Sequence, residues 1–217
     1  YVPIDISASA LESSAHAMLD RFPGVRITAL ATDYEGAFAE LGPRRARSRL
    51  ALFLGSNVGN LDEAQAHRFL SGVRSTLEPG DALLLGADLK KDRRTLEEAY
   101  DDPIGVTAAF NLNLLVRINR ELDADFDVKR FAHRASYDER EGVVRMHLVS
   151  LARQTVEVRA LGLRVAFAEG EAIHTEDSRK YDVEDLTRMA REAGFVRAET
   201  WFDGAGRFSS SLLVAGD

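Results

Sequence analysis

Four apolar runs of strand length, alternating with segments of helical periodicity, constrain the first ninety residues most strongly. The runs lie in YVPIDIS (Tyr1 to Ser7), VRITALATDY (Val25 to Tyr34), RLALFLG (Arg49 to Gly55) and EPGDALLLGADL (Glu78 to Leu89). Between them, Ala8 to Arg21, Tyr34 to Leu41 and Leu61 to Leu77 carry apolar residues at helical spacing. Near-continuous apolar strands joined by helices predict an α/β protein with a parallel sheet covered on both faces, since each crossover lays a helix on the sheet. Sheets of this kind bind ligands beyond the carboxyl ends of their strands.

The pattern then changes. Thr95 to Tyr100 and Val106 to Leu122 read as helices broken apart at Pro103. From Phe131 onward, FAHRASYD, GVVRMHLVS, TVEVRAL and LRVAFAEGE alternate with period two, which predicts an antiparallel meander. Val183 to Ala193 reads as a helix ended by Gly194, and VRAETWFD, GAG and RFSSSLLVAG as a closing hairpin. The expectation is a parallel α/β sheet interrupted by an α+β insertion and completed by an antiparallel pair.

Composition narrows the chemistry. None of the 217 residues is a cysteine, which removes disulfides, thiolate nucleophiles and thiolate metal sites and fits a cytoplasmic location. A formal net charge of −7 disfavours nucleic acid as a partner. The apolar runs are too short to cross a bilayer. The one basic run, PRRARSR (Pro43 to Arg49), could touch a phosphate or simply be a solvated connection.

Three polar stretches are candidates for chemistry. Asp5 and Asp33 each end an expected strand, where a carboxylate can accept hydrogen bonds from ribose hydroxyls or an adenine amino group; each can equally cap the following helix. GSNVGN (Gly55 to Asn60) lacks the lysine and hydroxyl ending of a phosphate-gripping loop. Its glycines permit close backbone approach, and Asn57 and Asn60 offer donors and acceptors suited to a small zwitterion; a plain turn with Asn60 as helix cap reads equally well. In IHTEDSRKY, Glu176 and Ser178 are two apart, so an extended segment turns both side chains the same way. A carboxylate beside a hydroxyl can engage both nitrogens of an imidazole, while the other reading is a capped turn followed by a basic surface. The histidines, His16, His67, His133, His147 and His174, have no metal-ligand spacing, although His133 and His147 could meet across paired strands. No metal is expected, and no nucleophilic serine sits in an elbow motif.

PIDIS, TDYEG, LFLGSNVGNL, GADLKKD, AYDDPIGVTAAFNLN and HTEDSRKY, in that order, resemble the histidine-specific Nα-methyltransferases of ergothioneine biosynthesis across essentially the whole chain. The resemblance implies a class I, Rossmann-like methyltransferase fold, with residues 1–90 and 181–217 binding S-adenosylmethionine and an inserted substrate unit at 91–180. It implies that the family's first strand, its glycine-rich loop and a substrate tyrosine precede Tyr1, so that a preceding segment or a second chain completes the fold. By motif position it assigns Asp5 to the ribose, and Asp33 and Tyr34 to the adenine. It assigns Gly55, Asn60, Tyr100, Met146, Glu176 and Ser178 to the substrate, with Asn60 and Tyr100 orienting the reacting amine. Asn57 stands where many relatives have threonine. The implied reaction is three successive methyl transfers to the α-amine of L-histidine, giving hercynine. The alternatives are a relative acting on another amino acid and a non-catalytic binding module.

Overall fold

The computed structural model describes residues 1–41 and 48–216, so of the basic run Pro43 to Arg49 only Ser48 and Arg49 lie within the described residues. The chain opens with β1 (Ile4–Asp5), α1 (Ala8–Arg21), β2 (Leu30–Ala31) and α2 (Tyr34–Glu40). The side chains of Ser7 and Asp33 start the two helices by accepting from the amides of Ala10 and Gly36, groups that have no partner inside a helix. β1 and β2 pair in parallel through Ile4–Leu30 and Asp5–Ala31.

A second, four-stranded sheet runs in the order β10-β11-β4-β3, formed by β3 (Leu50–Phe53), β4 (Ala82–Asp88), β10 (Phe195–Phe202) and β11 (Phe208–Ala215). Its β3–β4 pair is parallel, and β11 runs antiparallel to both β4 and β10. On it pack α3 (Glu63–Ser75), opened by a reciprocal Asp62–Gln65 capping box, and α6 (Val183–Glu192), opened likewise by Asp182 and Asp185. The core holds Phe53, Val58, Leu70, Leu83, Leu85, Tyr181, Leu186 and Leu213. Burial of each such leucine contributes about 1.5–3 kcal/mol.

This departs from the expectation of one parallel sheet covered on both sides. The parallel strands fall into two separate pairs, and β3 is an edge strand. Alternation turns Ala51 and Phe53 toward the core, whereas Leu50, Leu52 and Leu54 stay 45–56% exposed on the uncovered face. Apolar character alone did not mean burial.

Between β4 and α6 come α4 (Arg93–Tyr100), α5 (Val106–Leu122), β5 (Phe131–Asp138), β6 (Val143–Ser150), β7 (Gln154–Val158), β8 (Leu163–Phe167) and β9 (Ala172–Arg179). They do not form the simple meander expected. β7 and β8 form a two-stranded sheet of their own, and β9 returns to pair with β6, giving the order β5-β6-β9. Opposite residues of an antiparallel pair share a face, so Tyr137, Val144 and Ser178 form one row and Ala135, Met146 and Glu176 the next. α4 covers this face through Leu96, which clusters with Tyr137 and Val144.

β9 carries one surplus residue. Met146 faces Glu176 but His147 faces His174, leaving Thr175 as a bulge whose hydroxyl donates to the Met146 carbonyl at 2.9 Å. A bulge of this kind exchanges the faces of the residues on its two sides. Ile173 therefore shares a face with Glu176 and Ser178, and His174 lies with Asp177 on the other. His133 faces Leu148 while His147 faces Arg134, so those two histidines point to opposite faces and do not meet; His147 approaches His174 instead, at 5.3 Å between rings.

Candidate functional site

The turn after β3 is built from two consecutive left-handed residues, Gly55 (φ 72°) and Ser56 (φ 62°), followed by a 3₁₀ turn at Asn57–Asn60. Asn57 holds the turn by donating from its amide nitrogen to the Leu54 carbonyl at 3.0 Å. Ser56 Oγ accepts from the Asp88 backbone N–H at 2.9 Å, fixing the turn to the end of β4. Asp62 caps α3, so Asn60 is not the helix cap. The exposed Asn60 side chain makes no hydrogen bond with the described residues and is free for a ligand.

This turn lies against the end of β9. A side-chain carbon on Gly59 would sit 2.8 Å from the Arg179 carbonyl oxygen, so the close approach requires glycine. Tyr181, just beyond β9, donates its hydroxyl to the Val58 carbonyl at 3.1 Å. Burial pushes its phenol up to about 12. Two motifs more than a hundred residues apart thus meet.

A buried polar cluster continues from there. Lys180 is covered almost completely, with only 1% of its side chain exposed, and pairs with Asp88 Oδ2 at 3.0 Å. Its ammonium also donates to Tyr100 Oη at 2.6 Å and to Ser178 Oγ at 2.8 Å, and the two hydroxyls lie 2.9 Å apart. Lys91 pairs with the same Asp88 carboxylate. Tyr100 is held from behind by His133, whose Nε2 lies 2.8 Å from the Tyr100 carbonyl and whose Nδ1 lies 3.0 Å from the Asn111 amide nitrogen. A carbonyl only accepts and an amide NH₂ only donates, so His133 is the neutral tautomer protonated at Nε2.

Glu176 lies on the same face as Ser178, beside buried Met146, and its half-buried carboxylate makes no hydrogen bond with the described residues. The structure therefore gathers Asn60, Tyr100, Met146, Glu176 and Ser178 around the junction of the β3 turn, the end of α4 and β9. Gly55 shapes the turn from its exposed side. Lys180 and Asp88 escaped the sequence reading, which left open that Ser178 to Tyr181 form a basic surface; the buried side chain of Lys180 corrects that reading. Period two extended from Glu176 through Ser178 would have put Lys180 on the same face.

Asp5, Asp33 and Tyr34 lie apart from this cluster, lining with Ile4, Ile6 and Thr32 a cavity of about 260 Å³ at the ends of β1 and β2. One oxygen of each carboxylate is engaged locally, Asp5 Oδ1 by the Ser7 amide and Asp33 Oδ1 by the Gly36 amide, both at 2.8 Å. Asp33 caps α2, whereas Asp5 is not a cap, since Ser7 opens α1; neither second carboxylate oxygen makes a hydrogen bond with the described residues. Burial and the negative charge of Asp5 both raise the pKa of the Tyr34 phenol. The Tyr34 ring meets Phe53 edge-on at 5.6 Å, linking this cavity to the β3 turn. A larger hollow of about 500 Å³ on the outer face of the β5-β6-β9 sheet is lined by Arg93, Asp138, Glu139 and Arg145 among others, charges that pair with one another. Among the described residues no group of side chains has the arrangement of a metal site, and no helix is long and apolar enough to cross a membrane.

Among solved structures, an S-adenosylmethionine-dependent methyltransferase from Clostridium acetobutylicum has the same fold, with a TM-score of 0.51 over 100% of this chain and 75% of that one at 11% identity. The fold is that of class I methyltransferases. The histidine N-alpha-methyltransferase of Mycolicibacterium smegmatis is 44% identical over 99% of this chain, which spans 66% of that protein's length. Ergothioneine biosynthesis protein 1 of Neurospora crassa is 27% identical over 94% of this chain and 23% of its own. The sequence model of the histidine-specific, S-adenosylmethionine-dependent methyltransferases matches residues 1–215, and the chain belongs to that family.

Proposed function

We propose that this chain carries the substrate site, and part of the methyl-donor site, of an enzyme that methylates the α-amine of L-histidine three times to give hercynine, a step of ergothioneine biosynthesis. One observation carries the reading: a free carboxylate, Glu176, shares a strand face with Ser178 next to the glycine-tight turn that presents a free Asn60. Glu176 accepts the ring N–H and Ser178 engages the other ring nitrogen. Asn60 and Tyr100 hold the amino acid head, and Met146 forms the wall beside the ring.

The cavity at Asp5, Asp33 and Tyr34 fits the nucleoside of S-adenosylmethionine, because its two spare carboxylate oxygens match ribose hydroxyls and an adenine amino group. When bound, the sulfonium supplies the methyl group: an N–C bond forms from the amine lone pair as the C–S bond breaks and its electrons stay on sulfur. The protein's part is placement. A free α-amine titrates near pH 8, and a closed, partly apolar pocket favours the neutral form that has a lone pair. Asn60 then aims that lone pair, and alignment of reacting atoms contributes most of the acceleration. The division into a donor-binding part (1–90 and 181–217) and a substrate unit (91–180) belongs to the same reading.

Calorimetry on the complete protein tests it. Glu176→Ala is expected to weaken histidine binding about five- to 150-fold, since a buried polar group left unpaired costs about 1–3 kcal/mol, while binding of S-adenosylhomocysteine stays unchanged. Equal losses for both ligands would refute the assignment. Asn60→Ala is expected to lower turnover at saturating histidine about tenfold or more; unchanged turnover would remove Asn60 from its role.

A further inference from the structure

We infer that Lys180 is a positioning residue that makes Ser178 a pure hydrogen-bond donor and so restricts the ring subsite to neutral imidazole in one orientation. The inference rests on the histidine reading of that subsite, and follows from counting protons. An ammonium has three N–H groups and no lone pair. Those of Lys180 face the Asp88 carboxylate, Tyr100 Oη and Ser178 Oγ, so both hydroxyl oxygens accept from it. Each oxygen keeps one proton and one lone pair, and the 2.9 Å contact between them uses one of each. The phenol is the more acidic hydroxyl and the better donor, so Tyr100 donates to Ser178. Both lone pairs of Ser178 are then occupied. What it turns to the pocket is a proton.

Glu176, two residues earlier on the same face, can only accept while ionised. The subsite thus offers one acceptor and one donor. Neutral imidazole has one N–H and one bare nitrogen and matches both. Imidazolium brings a second N–H against the Ser178 proton and a positive charge toward Lys180. The other groups facing this row do not reverse the outcome. Tyr137 and His133 come from β5, and both nitrogens of His133 are already engaged. Asp88 lies between Lys180 and Lys91. β6 contributes only Val144 and Met146 to these two rows.

The test is calorimetric binding to the complete protein with S-adenosylhomocysteine present, comparing L-histidine with 1,2,4-triazolylalanine, whose ring does not protonate in the range used. Both ligands carry the same amine, so their affinity ratio isolates the ring. In the unaltered protein histidine is expected to weaken about fivefold relative to the triazole between about pH 6.5 and 5.5, following loss of neutral imidazole. Lys180→Met keeps the buried stem, frees one Ser178 lone pair, and is expected to flatten that slope to less than about twofold. Tyr100→Phe frees a lone pair from the other side and is expected to do the same, which keeps the inference testable if Lys180→Met does not fold. A flat ratio in the unaltered protein, or the full slope in either folded variant, overturns it. Failure of histidine to bind at all, with another amino acid binding instead, would refute the functional reading itself.

Discussion

Replacing Gly59 with alanine perturbs the contact on which the assembly of the site depends. The added carbon would lie 2.8 Å from the Arg179 carbonyl oxygen and 3.4 Å from its nitrogen, both rigid backbone atoms. Ordinary contact begins at 3.4 Å, so the turn and β9 must part by about 0.6 Å, as in other overpacked cores. Overpacking of this kind costs about 1–3 kcal/mol. For a chain of this size each kcal/mol lowers the melting temperature by about 2–4 °C, so a drop of about 2–12 °C is expected. The separation also moves Asn60 relative to Glu176 and Ser178. A displacement near 1 Å can cost about a hundredfold in rate, so about a tenfold loss in kcat/KM is expected here. Differential scanning calorimetry and steady-state kinetics on the complete protein measure both. Gly24→Ala is the control, because nothing lies within 4 Å of its added carbon. A Gly59→Ala protein that melts and turns over like the parent would refute the reasoning. One that melts lower but keeps its kinetics would show that the turn-to-strand spacing does not aim the amine.

Two further outcomes are expected. The Tyr181 phenol is raised to about 12 by burial, so its contribution to stability is complete below pH 10 and is lost as pH climbs through 12. Two units correspond to about 2–3 kcal/mol, and the phenolate absorbance difference between the parent and Tyr181→Phe should show a midpoint near 12; a midpoint near 10 would place the ring in water. Asp5→Ala is expected to weaken S-adenosylhomocysteine about ten- to a hundredfold with histidine affinity preserved, as loss of a charged hydrogen bond worth about 1.5–3 kcal/mol implies. Fluorescence or calorimetric titration reads this directly, and unaltered binding would remove Asp5 from the donor site.

Local rules made much of this architecture legible. Asp33 ahead of Tyr34, Asp182 ahead of Val183 and Gly194 after Ala193 mark helix ends because unpaired amides and carbonyls demand partners there. Glu176 and Ser178 share a face because a strand alternates. What depends on distant packing was not legible. Leu50, Leu52 and Leu54 are as apolar as Leu83 and Leu85, yet only the latter two are buried, since burial depends on what lies opposite. The His133–His147 pairing failed because register is set by the whole hairpin rather than by either residue. Lys180 was passed over because lysine is usually solvated. Asp88 could have been found by the reasoning applied to Asp5 and Asp33, being an acid at the carboxyl end of a parallel strand.

The unpaired Thr175 has a consequence for how such a pocket can change over time. With one residue fewer between Ile173 and Glu176 the two would stand two apart, and β9 would keep its register with β6 as a regular strand with both side chains still on one face. The surplus residue is therefore one that β9 can lose while Ile173 stays inside and the carboxylate stays in the pocket. Ligand choice here is written partly in chain length. Deleting the codon for Asp177, where pairing is regular, would instead set Glu176 and Ser178 on opposite faces while both side chains remained in the gene.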